Sequence, residues 1–164
     1  MDLRSELNYD AAPDDVFTML CDEAFRTAVC KATGSTSYDV AVSRDGDGAQ
    51  VRVRRVLPAQ VPDFAKKFVG DHIEVVQTER WGGPGPDGGR SADLKVEIPG
   101  KPGSVTGSVT LSPSAGGSRE LITGDIKVSI PLVGRKLEGE VHRGITAAIK
   151  VEQRVGTKWL AGDR

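Results

Sequence analysis

Apolar and polar residues alternate from Asp2 to Tyr9: Leu3, Ser5, Leu7 and Tyr9 face one way, and Arg4, Glu6 and Asn8 the other. This period of two predicts a half-buried strand. Pro13 then opens a short helix, with Asp14 and Asp15 suited to the positive end of its dipole and Val16, Phe17, Met19 and Leu20 as its apolar side. A second short helix runs from about Asp22 to Ala32 through Phe25, Ala28 and Val29, and Gly34 ends it. Six strands follow. Tyr38, Val40 and Val42 alternate up to a turn at Asp45-Gly46-Asp47-Gly48. Val51, Val53, Arg55 and Leu57 form the inward face of the next strand, and Ile73–Trp81, Ala92–Ile98, Val105–Leu111 and Leu121–Ile130 are the remaining four. Glycine- and proline-rich segments, among them Pro113–Ser118, connect them. Between the second and third of the six, Pro58–Asp71 spaces Val61, Phe64, Ala65, Phe68 and Val69 as one side of a short amphipathic helix, placed to cap an open end of the sheet.

The last long stretch, Val133 to Leu160, predicts a single C-terminal helix. At about 100° per residue, Leu137, Val141, Ile145, Ala148, Glu152, Val155 and Trp159 gather within a narrow arc of roughly 80°. Arg135, Lys136, Arg143, Lys150, Arg154 and Lys158 form a solvated basic face opposite. Gly139, Gly144 and Gly156 each cost about 1 kcal/mol against alanine inside a helix. Relief of crowding, a bend and simple tolerance all account for them. Glu152 lies in the middle of the apolar arc, where an unpaired carboxylate would cost several kcal/mol or take up a proton. It must meet water, a cation or a ligand.

At 164 residues the chain is one domain, 1–164, large enough to bury a core. Its 22 basic and 23 acidic residues leave a net charge of -1, which argues against a nucleic-acid partner. No apolar run approaches the roughly 20 residues of a membrane span, so no stable membrane insertion is expected. The first residues show neither a signal nor a transit peptide, which makes the cytoplasm the default location. Cys21 and Cys30 read as buried free thiols. With His72 and His142 they have no metal-ligand spacing, so no metal and no cofactor is expected. Nothing in the pattern sets an oligomeric state.

The order strand, two short helices, six antiparallel strands and a long C-terminal helix resembles the helix-grip fold of the START-like (SRPBCC) superfamily, over essentially the whole chain. Four stretches are also similar to a bacterial family known as domain of unknown function 2505: Met1–Leu7, Val61–Phe64 with Phe68–Gly70, Val96–Gly103 and Val128–Gly134. The resemblance implies an α+β fold in which a curved antiparallel seven-stranded sheet (β-α-α-β6-α) wraps around the C-terminal helix. It also implies an elongated cavity for a hydrophobic molecule. Inward positions of the strands would line one side, with Val141, Ile145 and Ala148 opposite.

Candidate chemistry follows from these faces. Strict alternation turns Arg55 inward, making it the obvious cation for Glu152, and an Arg55–Glu152 contact inside or at the mouth of the cavity is expected. A bulge in residues 51–56 would turn Arg55 out instead. Gln77 and Glu79 share the face of Trp81, so this strand becomes polar towards its far end, as a wet cavity entrance or, the favoured reading, an exposed sheet end would. Tyr9 and Tyr38 can each offer a hydroxyl. Phe64 and Phe68 would pack over, or gate, the cavity. No triad, metal cluster or nucleotide loop appears, and no residue is assigned as catalytic. The expected function is binding or carriage of an apolar small molecule, lipid or polyketide-like, oriented by Arg55, Gln77 and Glu152. The alternatives are a cyclase- or hydratase-type enzyme using the same cavity, and a fully packed interaction module without ligand.

Overall fold

A computed structural model describes residues 1–164. The elements run β1 (Asp2–Tyr9), α1 (Pro13–Leu20), α2 (Glu23–Ala32), β2 (Ser37–Asp45), β3 (Gly48–Pro58), α3 (Asp63–Val69), β4 (His72–Trp81), β5 (Arg90–Glu97), β6 (Gly103–Ser114), β7 (Gly117–Val128) and α4 (Gly134–Leu160). The strands form one antiparallel sheet in the order β1-β7-β6-β5-β4-β3-β2. Every hairpin joins neighbours, and β1 returns beside β7. The sheet curves around α4, which is the helix-grip arrangement expected.

Local signals explain the boundaries. Pro13 stands in the first turn of α1, and the Asp22 carboxylate caps α2 by accepting from the Ala24 N–H at 2.8 Å. The amphipathic insert forms α3 within the β3–β4 connection and stops at Gly70, whose φ is 75°. The last hairpin differs from expectation. Pairing continues through Pro113–Ser118 and Ser114–Gly117, so β6 and β7 close on Ala115-Gly116 rather than on a six-residue connection. Pro113 is tolerated because it lies past the Arg90–Leu111 pair, beyond which β5 offers β6 no partner.

Register sets which side chains face α4. β3 pairs with β4 continuously from Ala49–Trp81 to Pro58–His72, with no bulge, so Ala49, Val51, Val53 and Arg55 share the inner face. Gly107 and Gly124 meet across β6 and β7 on that face. A Cβ on Gly107 would lie 1.9 Å from the Thr123 carbonyl oxygen, so only glycine lets the strands close up where the sheet curls.

The core is uneven. At the end carrying α1 and α2, Val16, Leu20, Phe25, Val29 and Cys30 are buried in one cluster with Leu7, Val51 and Leu111. Phe25 meets Trp159 edge-on at 5.6 Å, and Phe17 meets Trp81 likewise. α4 lies closest to β7, β1, α1 and α2 and stands farther from β2 to β6. Leu137 and Trp159 near its ends are buried, whereas Val141, Ile145, Ala148 and Ile149 between them are only half-buried. No helix is long and apolar enough to cross a membrane.

Candidate functional site

A buried charged cluster lies where α2, β4, β7 and α4 converge, and Arg26 is its centre. The α2 face that presents Phe25, Val29 and Cys30 to the core also carries Arg26, which is 3% exposed. Its Nε donates to the Leu20 carbonyl oxygen at 2.6 Å, and its Nη2 donates to Glu79 Oε2 at 2.7 Å. Its Nη1 stands 3.7 Å from Glu152 Oε2. Glu79 collects two further donors from its own strand face, Gln77 Nε2 at 2.7 Å and Trp81 Nε1 at 2.9 Å. A carboxylate 3% exposed is thus held by three donors, one of them charged.

Two more carboxyls border this ion pair. Glu120, 2% exposed on β7, lies beside the Tyr9 hydroxyl, and neither Tyr9 Oη nor Glu120 Oε2 completes a hydrogen bond of normal geometry. Burial, reinforced by Glu152 and Glu79, pushes the Glu120 carboxyl well above the usual carboxylate range. Burial also raises Glu152, although Arg26 pulls it back. Burial raises the Tyr9 hydroxyl too, helped by the negative charge of Glu120 and Glu152. Burial acts to lower Arg26, but the surrounding glutamates outweigh it and hold the guanidinium charged. Gly156 lets α4 approach this floor, because a Cβ there would stand 3.0 Å from the Tyr9 ring. Of the three helix glycines, Gly156 relieves crowding, whereas Gly144 has open space beside it.

The structure places the sequence-derived candidates as follows. Glu152 is 15% exposed at its side chain, so it is the carboxyl of the cluster nearest to solvent. Its cation is Arg26. The expected Arg55–Glu152 ion pair does not form: Glu152 pairs with Arg26 of α2, and Arg55 acts on it only at longer range. Arg55 does face inward, half-buried near Cys30 and Glu152, and its buried Nε has no partner. Gln77 and Trp81 join Glu152 around Arg26 through Glu79. The polar far end of β4 is therefore buried rather than an exposed sheet end: Arg26 and the Trp81 indole make burial of Glu79 tolerable. Tyr38 pairs opposite Arg55 on the edge strand and is 37% exposed. Phe64 and Phe68 are half-buried on α3 at the other end of the sheet from Trp81, and Lys136 Nζ lies 5.6 Å from the Phe64 ring. Val141, Ile145 and Ala148 line the middle of α4. Cys21 and Cys30 are buried free thiols, and burial pushes Cys21 up to about 11, away from thiolate reactivity.

Sequence reasoning missed Arg26 and Glu120. Both carried a signal: Arg26 precedes Val29 and Cys30 by three and four residues, and Glu120 continues the inward series Ile122 and Ile126. Two surface depressions, of about 380 and 570 Å³, lie beside the β5–β6 connection and beside Arg80 and Asp93. Neither is lined by Arg26, Glu79, Glu120 or Glu152.

The fold and its relatives agree. An uncharacterized protein of Mycobacterium tuberculosis is 29% identical over 121 residues, covering 73% of this chain and 69% of its own length. The crystal structure of TTHA0849 from Thermus thermophilus superposes with a TM-score of 0.64 at 20% identity over 100% of both chains. A STAR-related lipid transfer protein of Xanthomonas axonopodis superposes with a TM-score of 0.56 at 20% identity, over 92% of this chain and 84% of that one. These likenesses show a shared helix-grip fold. Residues 4–160 match the family described as Protein of unknown function (DUF2505), and the chain belongs to that family.

Proposed function

We propose that the protein binds or carries an apolar small molecule, lipid or polyketide-like, in the space between the curved sheet and α4. The observation that carries this reading is apolar surface facing inward without being buried. Val40, Val42, Val75 and Val96 on the sheet and Val141, Ile145 and Ala148 on α4 remain half-buried. Val51, Val105, Val109 and Ile126, on the same inner face, are closed off to 3% exposure or less. A filled core would close off both sets, so the half-buried set is surface that a ligand would cover. The inner wall of β2 to β5 and the middle of α4 bound this lumen, and Phe64 and Phe68 stand near its mouth. Glu152, Gln77 and Arg55 supply polar groups at its floor. The lipid-transfer protein of Xanthomonas axonopodis, alike in fold, is consistent with this reading.

Filling the lumen tests it. Ala148→Trp is expected to weaken binding of a neutral apolar fluorophore, N-phenylnaphthylamine, by about tenfold or more, with the melting temperature held. Unchanged probe affinity in a folded Ala148→Trp protein would reject the lumen as the binding space. One feature favours a second reading, a cyclase- or hydratase-type enzyme: the Glu152 carboxyl, the one of the cluster nearest to solvent, has a raised affinity for its proton, as a general acid requires. Glu152→Gln would then abolish turnover of a bound compound while leaving its affinity intact.

A further inference from the structure

Two arginines face the interior, and the protein completes only one of them. Arg26 has the Leu20 carbonyl oxygen, Glu79 and Glu152 around its guanidinium. Arg55, half-buried on the inner face of β3, has no such set. Its neighbours on that face are Tyr38 and Val75, directly across on β2 and β4, and Val53 and Leu57 along its own strand. None of the four carries a carboxylate. From the helices, Cys30 of α2 and Glu152 of α4 come near it. Burial raises the Cys30 thiol and so keeps it neutral. Glu152 is engaged by Arg26, and burial favours its protonated form. The Arg55 Nε is enclosed and has no acceptor. Buried donors are almost always satisfied, so this one marks a place where an acceptor is missing.

The apolar wall is unfinished at the same place. Val75, across from Arg55, and Val40, one pair further along β2, are both half-buried. A molecule lying on them would also close Arg55 off from water. A guanidinium is a permanent cation, and covering it is costly unless the covering molecule brings the opposite charge.

We propose that the lumen takes an apolar molecule ending in a carboxylate, and that Arg55 receives that carboxylate. This rests on the lumen reading and adds to it the chemistry of one end of the ligand. A planar carboxylate meets the guanidinium fork with charge-assisted hydrogen bonds and supplies the acceptor that Nε lacks. A neutral hydroxyl would accept from Nε but leave the charge covered and unopposed. A doubly charged phosphate would bring a second negative charge towards Glu152 and Glu79, with a single unpaired guanidinium to meet both.

Fluorescence titration with cis-parinaric acid and with its methyl ester, at neutral pH, tests the assignment. The acid is expected to bind about tenfold more tightly than the ester. Arg55→Met keeps much of the side-chain stem and removes the charge. It should bring the acid down to the affinity of the ester while leaving the ester, N-phenylnaphthylamine and the melting temperature unchanged. Arg55→Lys, which restores the charge without the fork, should recover part of the preference. Equal affinity for acid and ester, or a preference that survives Arg55→Met, would overturn the role of Arg55. Binding of N-phenylnaphthylamine in the same protein would then leave the lumen standing. Failure of all three probes to bind would reject the lumen, and the carboxylate assignment with it. Displacement of the acid by dodecyl phosphate at lower concentration than by dodecanoate would overturn the singly charged head.

Discussion

Arg26→Met is expected to destabilise the protein by about 3–5 kcal/mol, the usual consequence of leaving one partner of a buried ion pair without its counter-ion. Methionine fills much of the arginine stem's volume, so the loss isolates charge rather than packing. Glu79 would keep Gln77 and Trp81 but lose the guanidinium, and Glu152 would lose its ion-pair partner and keep only the more distant Arg55. Against a typical domain stability of about 5–15 kcal/mol this is a large fraction. At this chain length it corresponds to a melting temperature lower by roughly 10 °C or more. Adding Glu79→Gln to Arg26→Met should recover part of it, because a neutral amide tolerates burial without a cation. Urea melts of the two variants check this. If Arg26→Met alone is as stable as wild type, the cluster is not what holds α2 to the sheet.

The second large effect concerns pH. Glu120 holds its proton more tightly folded than unfolded, because burial and the neighbouring Glu152 and Glu79 disfavour its charge while Arg26 offsets only part. Stability from this proton is fully present below the unfolded carboxylate value and is lost as pH rises through the folded value. Glu152, raised in the same direction, adds to the trend. Melting temperature should therefore fall as pH is raised from about 5 towards 8, a range in which a thiol of ordinary pKa near 8.5 stays largely protonated. Each glutamate contributes at most about 1.4 kcal/mol per pH unit. Glu120→Gln removes the titrating group, so it should flatten the profile and stabilise the protein most at the alkaline end. A steeper profile in Glu120→Gln, or destabilisation growing with pH, would contradict a protonated Glu120.

The faces of the sheet were legible because β-alternation is local. Without a bulge between Val51 and Val56, the period of two places Arg55 inside as surely as Val53. Glu152 was legible for the same reason on a helix, as a charge within an apolar arc. Its partner was not. Arg26 and Glu79 are 53 residues apart, and no periodicity reports a contact at that separation. α2 also satisfies an amphipathic pattern through Phe25, Ala28 and Val29, which leaves Arg26 free to be read as solvated. Glu120 is hidden by turn chemistry: Pro113 to Ser118 is rich in turn formers, so the pattern predicts a strand only from Leu121 and leaves its first inward residues outside. Polarity at the far end of β4 was misread because a solvated strand end and a buried polar cluster have the same composition. Only tertiary contact separates them.

The claim that the lumen holds an apolar molecule is tested most directly by native mass spectrometry of the protein isolated from its own cells. The expected result is a polypeptide carrying the additional mass of a non-covalently held apolar compound, released on unfolding and absent from Ala148→Trp. Recovery of the bare polypeptide alone, from protein that also fails to bind N-phenylnaphthylamine, would contradict the claim.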